Sequence, residues 1–307
     1  MNTINLPGFY PSSDMPMASY LADPCPVPSL SAGTCKTILT RSMQHVFVEH
    51  PRLAGRKRDD SDASDIGTIA HDLLLGGEGK ICVIDPEQYR SKPTKDNPDG
   101  SIPIGWTNGA IRAARDEARA NGLTPILAGA MAGARTMAKV ARDFLHYSEL
   151  AGALDHGEGE VSMFWQEGQT WLRARPDWLN HKQKICLHYK TTQASAAPEP
   201  FSRLAVNSGY DVSLAFYRRG FEHLTGQKDW MHVILGQEQN APWSCSLLSL
   251  DPAAWAIADA KVNRAISLWQ HAMQTDRWPA YSGRIAYITP TPWALAEAER
   301  MEQESGL

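Results

Sequence analysis

The stretch from Trp171 to Thr192 constrains the fold of this chain most strongly, because apolar and polar residues alternate along it with a period of two. A polar segment, residues 180–183, separates the two alternating runs. Short alternating runs on either side of a polar turn predict a β-hairpin. In this hairpin Asp177 would end the first strand, while His188 and Lys190 would share one face of the second strand.

The predicted hairpin would bring a carboxylate, an imidazole and an ammonium group together at a sheet edge. Carboxylate and imidazole groups are metal ligands, and a lysine can orient a nucleophile or neutralise developing charge. The combination therefore favours metal-assisted hydrolysis of a phosphodiester. A charged sheet face that is simply solvated is the alternative interpretation of the same pattern.

Two motifs in the hairpin resemble a known nuclease superfamily. The tripeptide RPD at residues 175–177 is followed, after ten residues, by HYKTT at residues 188–192. This arrangement resembles the PD-(D/E)xK nucleases and, within them, the RecE-like exonucleases (exonuclease VIII) of phages and prophages, whose pattern is RPD followed by D-x-K-T-T. The resemblance implies an α/β, restriction-endonuclease-like fold with a mixed central sheet flanked by helices. The chain departs from the family pattern at His188, which replaces an aspartate.

Two upstream segments carry the same resemblance. GTIAHDLL, residues 67–74, resembles a motif of RecB-type and RecE-like nucleases whose histidine approaches the metal, here His71. Glu160 is predicted to begin a strand over residues 160–165. It lies about where RecE-like proteins have an acidic residue near the metal, although an acidic residue at a strand end is often only solvated.

Two downstream segments extend the likeness over most of the chain. RecE-like proteins have a Q-x-x-x-Y signature, of which this chain has the tyrosine, Tyr217, with Ser213 in place of the glutamine. The segment WPAY at residues 278–281 resembles the closing W-P-x-Y segment of the same proteins.

The resemblance implies a mechanism with named residues. The implied metal ligands around one or two Mg²⁺ or Mn²⁺ ions are His71, Glu160, Asp177 and His188. Lys190 would orient the attacking water or neutralise the charge of the intermediate, and Asp177, His188 and Tyr217 would complete the catalytic set. The implied activity is digestion of one strand of a DNA duplex from its 5′ end, which leaves a 3′ overhang for recombination.

The likeness also implies partners. RecE-like enzymes act on double-stranded DNA ends, assemble as homo-oligomeric rings around the substrate, and work with a single-strand annealing protein. A ring would reconcile DNA binding with the net charge of −4, because only its inner wall has to be positive.

His188 leaves three interpretations open, because imidazole is a poorer ligand for Mg²⁺ than a carboxylate. In the first interpretation the chain is an altered or inactivated exonuclease. In the second it is a natural variant that uses Mn²⁺, and in the third it is a catalytically silent module that binds DNA or a partner. The absence of the glutamine at Ser213 favours the last two. A structure-specific endonuclease on the same core is a further enzymatic alternative.

The composition of the 307 residues excludes several classes of protein. Five cysteines without a CxxC pair speak against a disulfide or zinc framework. No apolar run approaches the roughly 18 residues of a membrane span, and the first residues lack the features of a secretory signal. We therefore expect a cytoplasmic protein without a membrane partner.

The breakers predict an extended N-terminal arm over residues 1–28, either mobile or packed on a neighbouring subunit. The resemblance implies a single PD-(D/E)xK nuclease domain over 29–307, and no linker marks a second domain. Ser64 is predicted to cap the helix that carries His71. The charged cluster at residues 56–60 is interpreted as a solvated loop, with contact to the DNA backbone as the alternative. The predicted helices cover residues 32–47, 65–75, 107–121, 124–147, 201–223 and 252–274, and a second hairpin covers 231–236 and 243–248.

Overall fold

The computed structural model describes residues 4–54, 65–76, 81–95 and 97–305. The strands of this part of the chain are β1 (Gly8–Tyr10), β2 (Leu30–Ser31), β3 (Ile81–Ile84), β4 (Thr124–Leu127), β5 (Glu158–Gly159), β6 (Ser162–Glu167), β7 (Thr170–Ala174), β8 (Trp178–Asn180), β9 (Ile185–Thr192), β10 (Met231–Glu238) and β11 (Cys245–Leu248). Its α-helices are α1 (Met17–Leu21), α2 (Ala32–Thr40), α3 (Met43–Glu49), α4 (Asp65–Leu75), α5 (Gly109–Ala120), α6 (Ala128–His146), α7 (Pro198–Asn207), α8 (Tyr210–Thr225), α9 (Pro252–Thr275) and α10 (Pro292–Ser305). The charged cluster at 56–60 and the predicted cap Ser64 lie outside the described residues.

A five-stranded mixed sheet in the order β11-β10-β9-β8-β5 carries the predicted second strand, β9, at its centre. β9 pairs in parallel with β10 and antiparallel with β8. A second sheet has the order β1-β6-β7-β2, and β3 pairs in parallel with β4. These mixed sheets with flanking helices confirm the predicted α/β fold class. No helix of the described residues is long and apolar enough to cross a bilayer.

The alternation along β9 divides the hydrophobic core in two. Leu187 and Tyr189 pack into the cluster that contains the apolar residues of α4 and α6. Cys186 packs on the opposite face, in the cluster that contains residues of α8 and α9. A strand with both faces covered in this way is held in register, because a slip of one residue would exchange its two faces.

The prediction of one continuous first strand for the hairpin is wrong, because the segment is divided between the two sheets. β7 ends at Ala174 and pairs with β6, whereas β8 begins at Trp178 and is the antiparallel partner of β9. Pro176 in the gap has no N–H for a ladder hydrogen bond. The neighbouring Arg175 is buried and donates from Nη1 to the carbonyl oxygen of Met15.

Three predicted helices also differ from the structure, each for a local reason. The helix predicted over 32–47 is two helices, because the Ser42 side chain accepts from the backbone N–H of His45 and starts α3. The helix predicted over 201–223 is broken at Gly209, whose φ of 68° is left-handed. Residues 124–127 form β4 in place of a first helical turn, because they pair with β3.

The N-terminal residues pack on the body of the same chain. β1 pairs with β6, and Met15 is completely buried. The Asp23 carboxylate accepts from the backbone N–H and the hydroxyl of Ser29, and it lies 3.4 Å from the Arg173 guanidinium. This segment therefore covers the outer side of the β6–β7 pair.

We predict that Gly236→Ala destabilises the protein. A Cβ at this position of β10 would lie 2.4 Å from the ring of Phe201, which is fully buried. Overpacking of this kind lowers the free energy of unfolding by about 1–3 kcal/mol. Urea denaturation measures the change.

The matched control is Gly133→Ala in α6, where a Cβ would meet no atom within 4 Å. Because alanine favours a helix over glycine, this variant should be as stable as the wild type or more stable by up to about 1 kcal/mol. Equal destabilisation by the two substitutions would show that the contact with Phe201 is not the cause.

Candidate functional site

Asp177 lies in the gap between β7 and β8, where the chain leaves one sheet and enters the other. Its Oδ2 atom accepts from the backbone N–H of Tyr189 at 2.9 Å and from Lys190 Nζ at 2.7 Å. Both donors belong to β9. The predicted meeting of Asp177 and Lys190 is therefore present, but it lies at the junction of two sheets beside the central strand β9 and not at a sheet edge.

The charges of this pair stabilise each other. Burial alone would raise the pKa of the Asp177 carboxyl, but Lys190 and His71 outweigh it and hold the pKa well below its usual range. Burial alone would lower the pKa of Lys190, but Asp177 outweighs it and raises the pKa. A carboxylate and an ammonium group consequently stand side by side at neutral pH.

His71 reaches this pair from α4. Its Nε2 atom lies 3.8 Å from Asp177 Oδ2 and 3.7 Å from Glu160 Oε1. The helix approaches β9 closely at Gly67, where a Cβ would lie 2.5 Å from the Thr191 hydroxyl oxygen. The glycine of the GTIAHDLL segment thus permits the approach that brings His71 over the carboxylates.

Glu160 is held beside the site by an unusual backbone and a buried arginine. It lies between β5 and β6, and not within a strand as predicted, and its φ of 60° is left-handed. For a residue with a Cβ this conformation has to be stabilised by its surroundings. Arg175 Nε donates to Glu160 Oε2 at 2.6 Å, while Arg175 Nη1 donates to Met15 O and to the Ser162 hydroxyl.

Three of the four predicted metal ligands come together. One ligand atom from each of His71, Glu160 and Asp177 lies within 4.8 Å of the other two. The separations of 3.7 and 3.8 Å from His71 are too long for hydrogen bonds, but shorter than twice the metal–oxygen distance of about 2.1 Å. Two carboxylates and one imidazole fit a hard or borderline divalent cation such as Mg²⁺ or Mn²⁺.

The fourth predicted ligand lies in a different group. His188 is 2% exposed, and its Nε2 atom is 3.3 Å from Cys186 Sγ. Its ring stacks on that of Tyr217, with centroids 4.7 Å apart. Together with His232, Cys186 and His188 form a second cluster of donor atoms. Burial lowers the pKa of His188 to about 4, so its imidazole is neutral.

Arg175 of the RPD motif has a positioning role that the motif alone does not reveal. It positions Glu160 and connects it to the N-terminal segment at Met15. Tyr20 of the same segment lies under the guanidinium groups of Arg173 and Arg175, at 5.4 and 5.7 Å from its ring centroid. In the sequence, Arg173 and Arg175 alternate with apolar residues, and both side chains are buried in the structure. Buried arginines require partners, so this pattern was the signal for the structural role of Arg175.

In the absence of metal we predict that stability falls as the pH rises from about 6.5 to about 9. Burial alone would lower the pKa of His71, but Asp177, Asp72 and Glu160 outweigh it and raise the pKa to about 9, above the ordinary 6.5. The charged form of His71 therefore stabilises the folded state fully below the unfolded pKa, and this contribution is lost as the pH rises through the folded pKa. The loss is on the order of 3 kcal/mol.

Chemical denaturation across this pH range, with a chelator present, tests the prediction. His71→Gln should flatten the stability profile between these pH values, whereas His146→Gln, at an exposed position in the last turn of α6, should leave it unchanged. A wild-type profile that is already flat would contradict the charged contact of His71 with the carboxylates.

Comparisons with known proteins agree with this architecture. The family described as "PDDEXK-like domain of unknown function (DUF3799)" matches residues 121–291, more than half of the chain. A search of curated proteins found no match.

Two solved structures are similar to the chain to very different degrees. The crystal structure of a protein from Eubacterium rectale named "putative exonuclease" has a TM-score of 0.54 at 11% identity, covering 93% of this chain and 97% of that chain. At this identity the likeness concerns the fold alone. The structure of SSO0001 has a TM-score of 0.26 at 12% identity, covering 66% of this chain and 85% of that one, and supports no argument. The family match is decisive, and this chain belongs to the PDDEXK-like domain family DUF3799.

Proposed function

We propose that this protein is a metal-dependent DNA exonuclease. The observation that carries the proposal is the convergence of His71, Glu160 and Asp177 within 4.8 Å, with Lys190 hydrogen-bonded to Asp177 at 2.7 Å. Ligands for a divalent cation beside a charged lysine are the groups that phosphodiester hydrolysis requires. The family match and the fold support the same class of chemistry.

The residues have distinct roles in this proposal. His71, Glu160 and Asp177 would hold Mg²⁺ or Mn²⁺, and the bound cation supplies Lewis-acid chemistry for phosphate esters. Lys190 places an ammonium group where the attacking water or the developing negative charge would lie. Arg175 fixes the Glu160 carboxylate, and the Tyr189 backbone N–H fixes that of Asp177. Tyr217 and His188 would support the face of β9 from which Lys190 projects.

The finer activity that we propose is 5′→3′ digestion of double-stranded DNA from its ends, in the manner of the RecE-like enzymes. The RPD and HYKTT motifs, the GTIAH segment and the WPAY segment support it. The product would be a 3′ overhang, which a single-strand annealing protein could use in recombination.

A homo-oligomeric ring belongs to this proposal, and the C-terminal segment supports self-association. Large apolar side chains are strongly exposed there, including Ile288 at 98% and Trp293 at 72%. None of the described residues of α10 is buried. An exposed apolar segment of this kind is typical of an interface between subunits.

A second candidate is a catalytically silent module that binds DNA or takes part in an assembly. The specific observation in its favour is His188, which contacts Cys186 in the buried cluster and stands where the family has a metal-binding aspartate. This candidate predicts binding to duplex ends that a chelator does not change.

We predict that Asp177→Asn and Lys190→Met each reduce cleavage of linear duplex DNA by at least about 100-fold, with Mg²⁺ or Mn²⁺ present. Each substitution removes one charge of the central pair and keeps a similar size. The matched controls are Asp143→Asn and Lys139→Met, which alter an exposed ion pair on α6. Controls that lose as much activity as the site variants would contradict the assignment.

One further substrate, closed circular DNA, and one further variant separate the candidate functions. An exonuclease should digest linear duplex DNA and leave closed circular DNA intact, whereas cutting of the circle would indicate an endonuclease. If neither the wild type nor His188→Asp cleaves linear DNA with either metal, the silent module replaces the enzyme as the better explanation.

A deletion of residues 284–305 tests the oligomer separately. Light scattering of the full chain should give a mass of several subunits, and the deletion should reduce it to that of the monomer. A full chain that is monomeric at the concentrations of the nuclease assay would contradict the ring, without affecting the assignment of the active site.

A further inference from the structure

A second cluster of metal-ligating side chains lies between β9 and β10, away from the carboxylates. Cys186 and His188 are two residues apart on one face of β9, and His232 is the register partner of Cys186 on the parallel strand β10. Their ligand atoms lie within 4.8 Å of one another. All three side chains are buried, with His188 at 2% and His232 at 1% exposure.

His232 is the unexplained member of this cluster. Neither of its ring nitrogens has a hydrogen-bond partner in the structure. Its ring makes T-shaped contacts with the rings of Phe221 and Trp255, whose centroids lie 5.5 and 6.2 Å from its own. A buried polar side chain without a partner is unfavourable, so such a group points to a ligand that would satisfy it.

The geometry and chemistry of the donors select the kind of ligand. Zinc binds cysteine sulfur at about 2.3 Å and histidine nitrogen at about 2.0–2.1 Å, so its tetrahedral ligands stand roughly 3.3–3.6 Å apart. The distance from Cys186 Sγ to His188 Nε2 is already 3.3 Å. One sulfur and two imidazoles form a softer set than the carboxylate group at Asp177, and they suit a borderline cation.

A surface pocket adjoins one end of the cluster. A pocket of about 350 Å³ is lined by residues that include His232, Trp230 and Arg218. Arg218 Cζ lies over the ring of Trp255 at 3.9 Å from the centroid, and its Nη2 atom donates to Asp259. The pocket therefore lies next to His232, whose two ring nitrogens are themselves buried.

We propose that Cys186, His188 and His232 bind one Zn²⁺ ion that links β9 to β10. The thiol proton of Cys186 leaves to solvent as the zinc–sulfur bond forms, and each imidazole contributes a lone pair. The ligands of this Zn²⁺ differ from His71, Glu160 and Asp177, so it is a separate metal site, although His188 and Lys190 share one face of β9.

The protonation states agree with this assignment. Burial lowers the pKa of His232 to about 3 and that of His188 to about 4, so both imidazoles are neutral and can coordinate a cation. Burial raises the pKa of the Cys186 thiol well above its usual value. Zinc binding should therefore release close to one proton for each ion bound at neutral pH.

Titration of the metal-free full chain with Co²⁺ tests the proposal, because sulfur-bound cobalt has a charge-transfer absorption in the near ultraviolet. We expect this band to saturate at one equivalent and to disappear when Zn²⁺ is added. Asp177→Asn should retain the band, which separates this site from the carboxylate group. Cys245→Ser should also retain it, because Cys245 lies outside both groups of donors.

Cys186→Ser should abolish the band, and His232→Gln should weaken the binding of Co²⁺ by more than about tenfold while the thiol is kept. If Cys186→Ser does not fold, His232→Gln and the Zn²⁺-dependent rise in the Tm of the wild type remain decisive. A wild-type protein with no charge-transfer band, or a band that is unchanged in His232→Gln, would overturn the proposal.

Discussion

The double hydrogen bond to Asp177 is the interaction on which the rest of the site depends. The carboxylate lies at the point where the chain passes between two sheets, and it accepts from the backbone N–H of Tyr189 and from Lys190. These bonds attach the junction to the central strand β9. Because β9 is covered on both faces by hydrophobic clusters, its register is fixed, and the relative position of Asp177 and Lys190 is fixed with it.

Elements with strong local patterns could be predicted from the sequence. The alternation of β9 and the apolar stripe of α4 specify their own secondary structure, and the RPD and HYKTT motifs indicate that Asp177 and Lys190 meet. Pro176 marks the break in the first strand, but the sequence does not show that the two halves join different sheets, which depends on pairing with β6 and β9 and on the contact of Arg175 with Met15, 160 residues away in sequence. The break at Gly209 and the strand β4 likewise depend on backbone conformation and pairing that a helical pattern of apolar residues does not reveal.

His188 illustrates how position in a motif and position in space can differ. Sequence likeness assigns it to the metal group of Asp177, and both residues lie directly beyond the last pair of the β8–β9 ladder, Trp178 and Leu187. In the structure its ring stacks on Tyr217 and its Nε2 atom faces Cys186. One face of β9 thus carries two different sets of side chains. Lys190 lies beside the carboxylates, and the sulfur and imidazole groups of Cys186 and His188 lie deeper in the core. A sulfur and two imidazoles in place of an aspartate change the cation that this part of the fold can hold.

The most direct test of the central claim is a crystal structure of the protein soaked with Mn²⁺, in which the anomalous scattering of manganese locates the ion. The account predicts a peak bonded to His71 Nε2 and to the carboxylates of Glu160 and Asp177, at distances of about 2.0–2.6 Å, with Lys190 adjacent. An ion bound at other residues, with these three side chains unliganded at saturating Mn²⁺, would contradict the account.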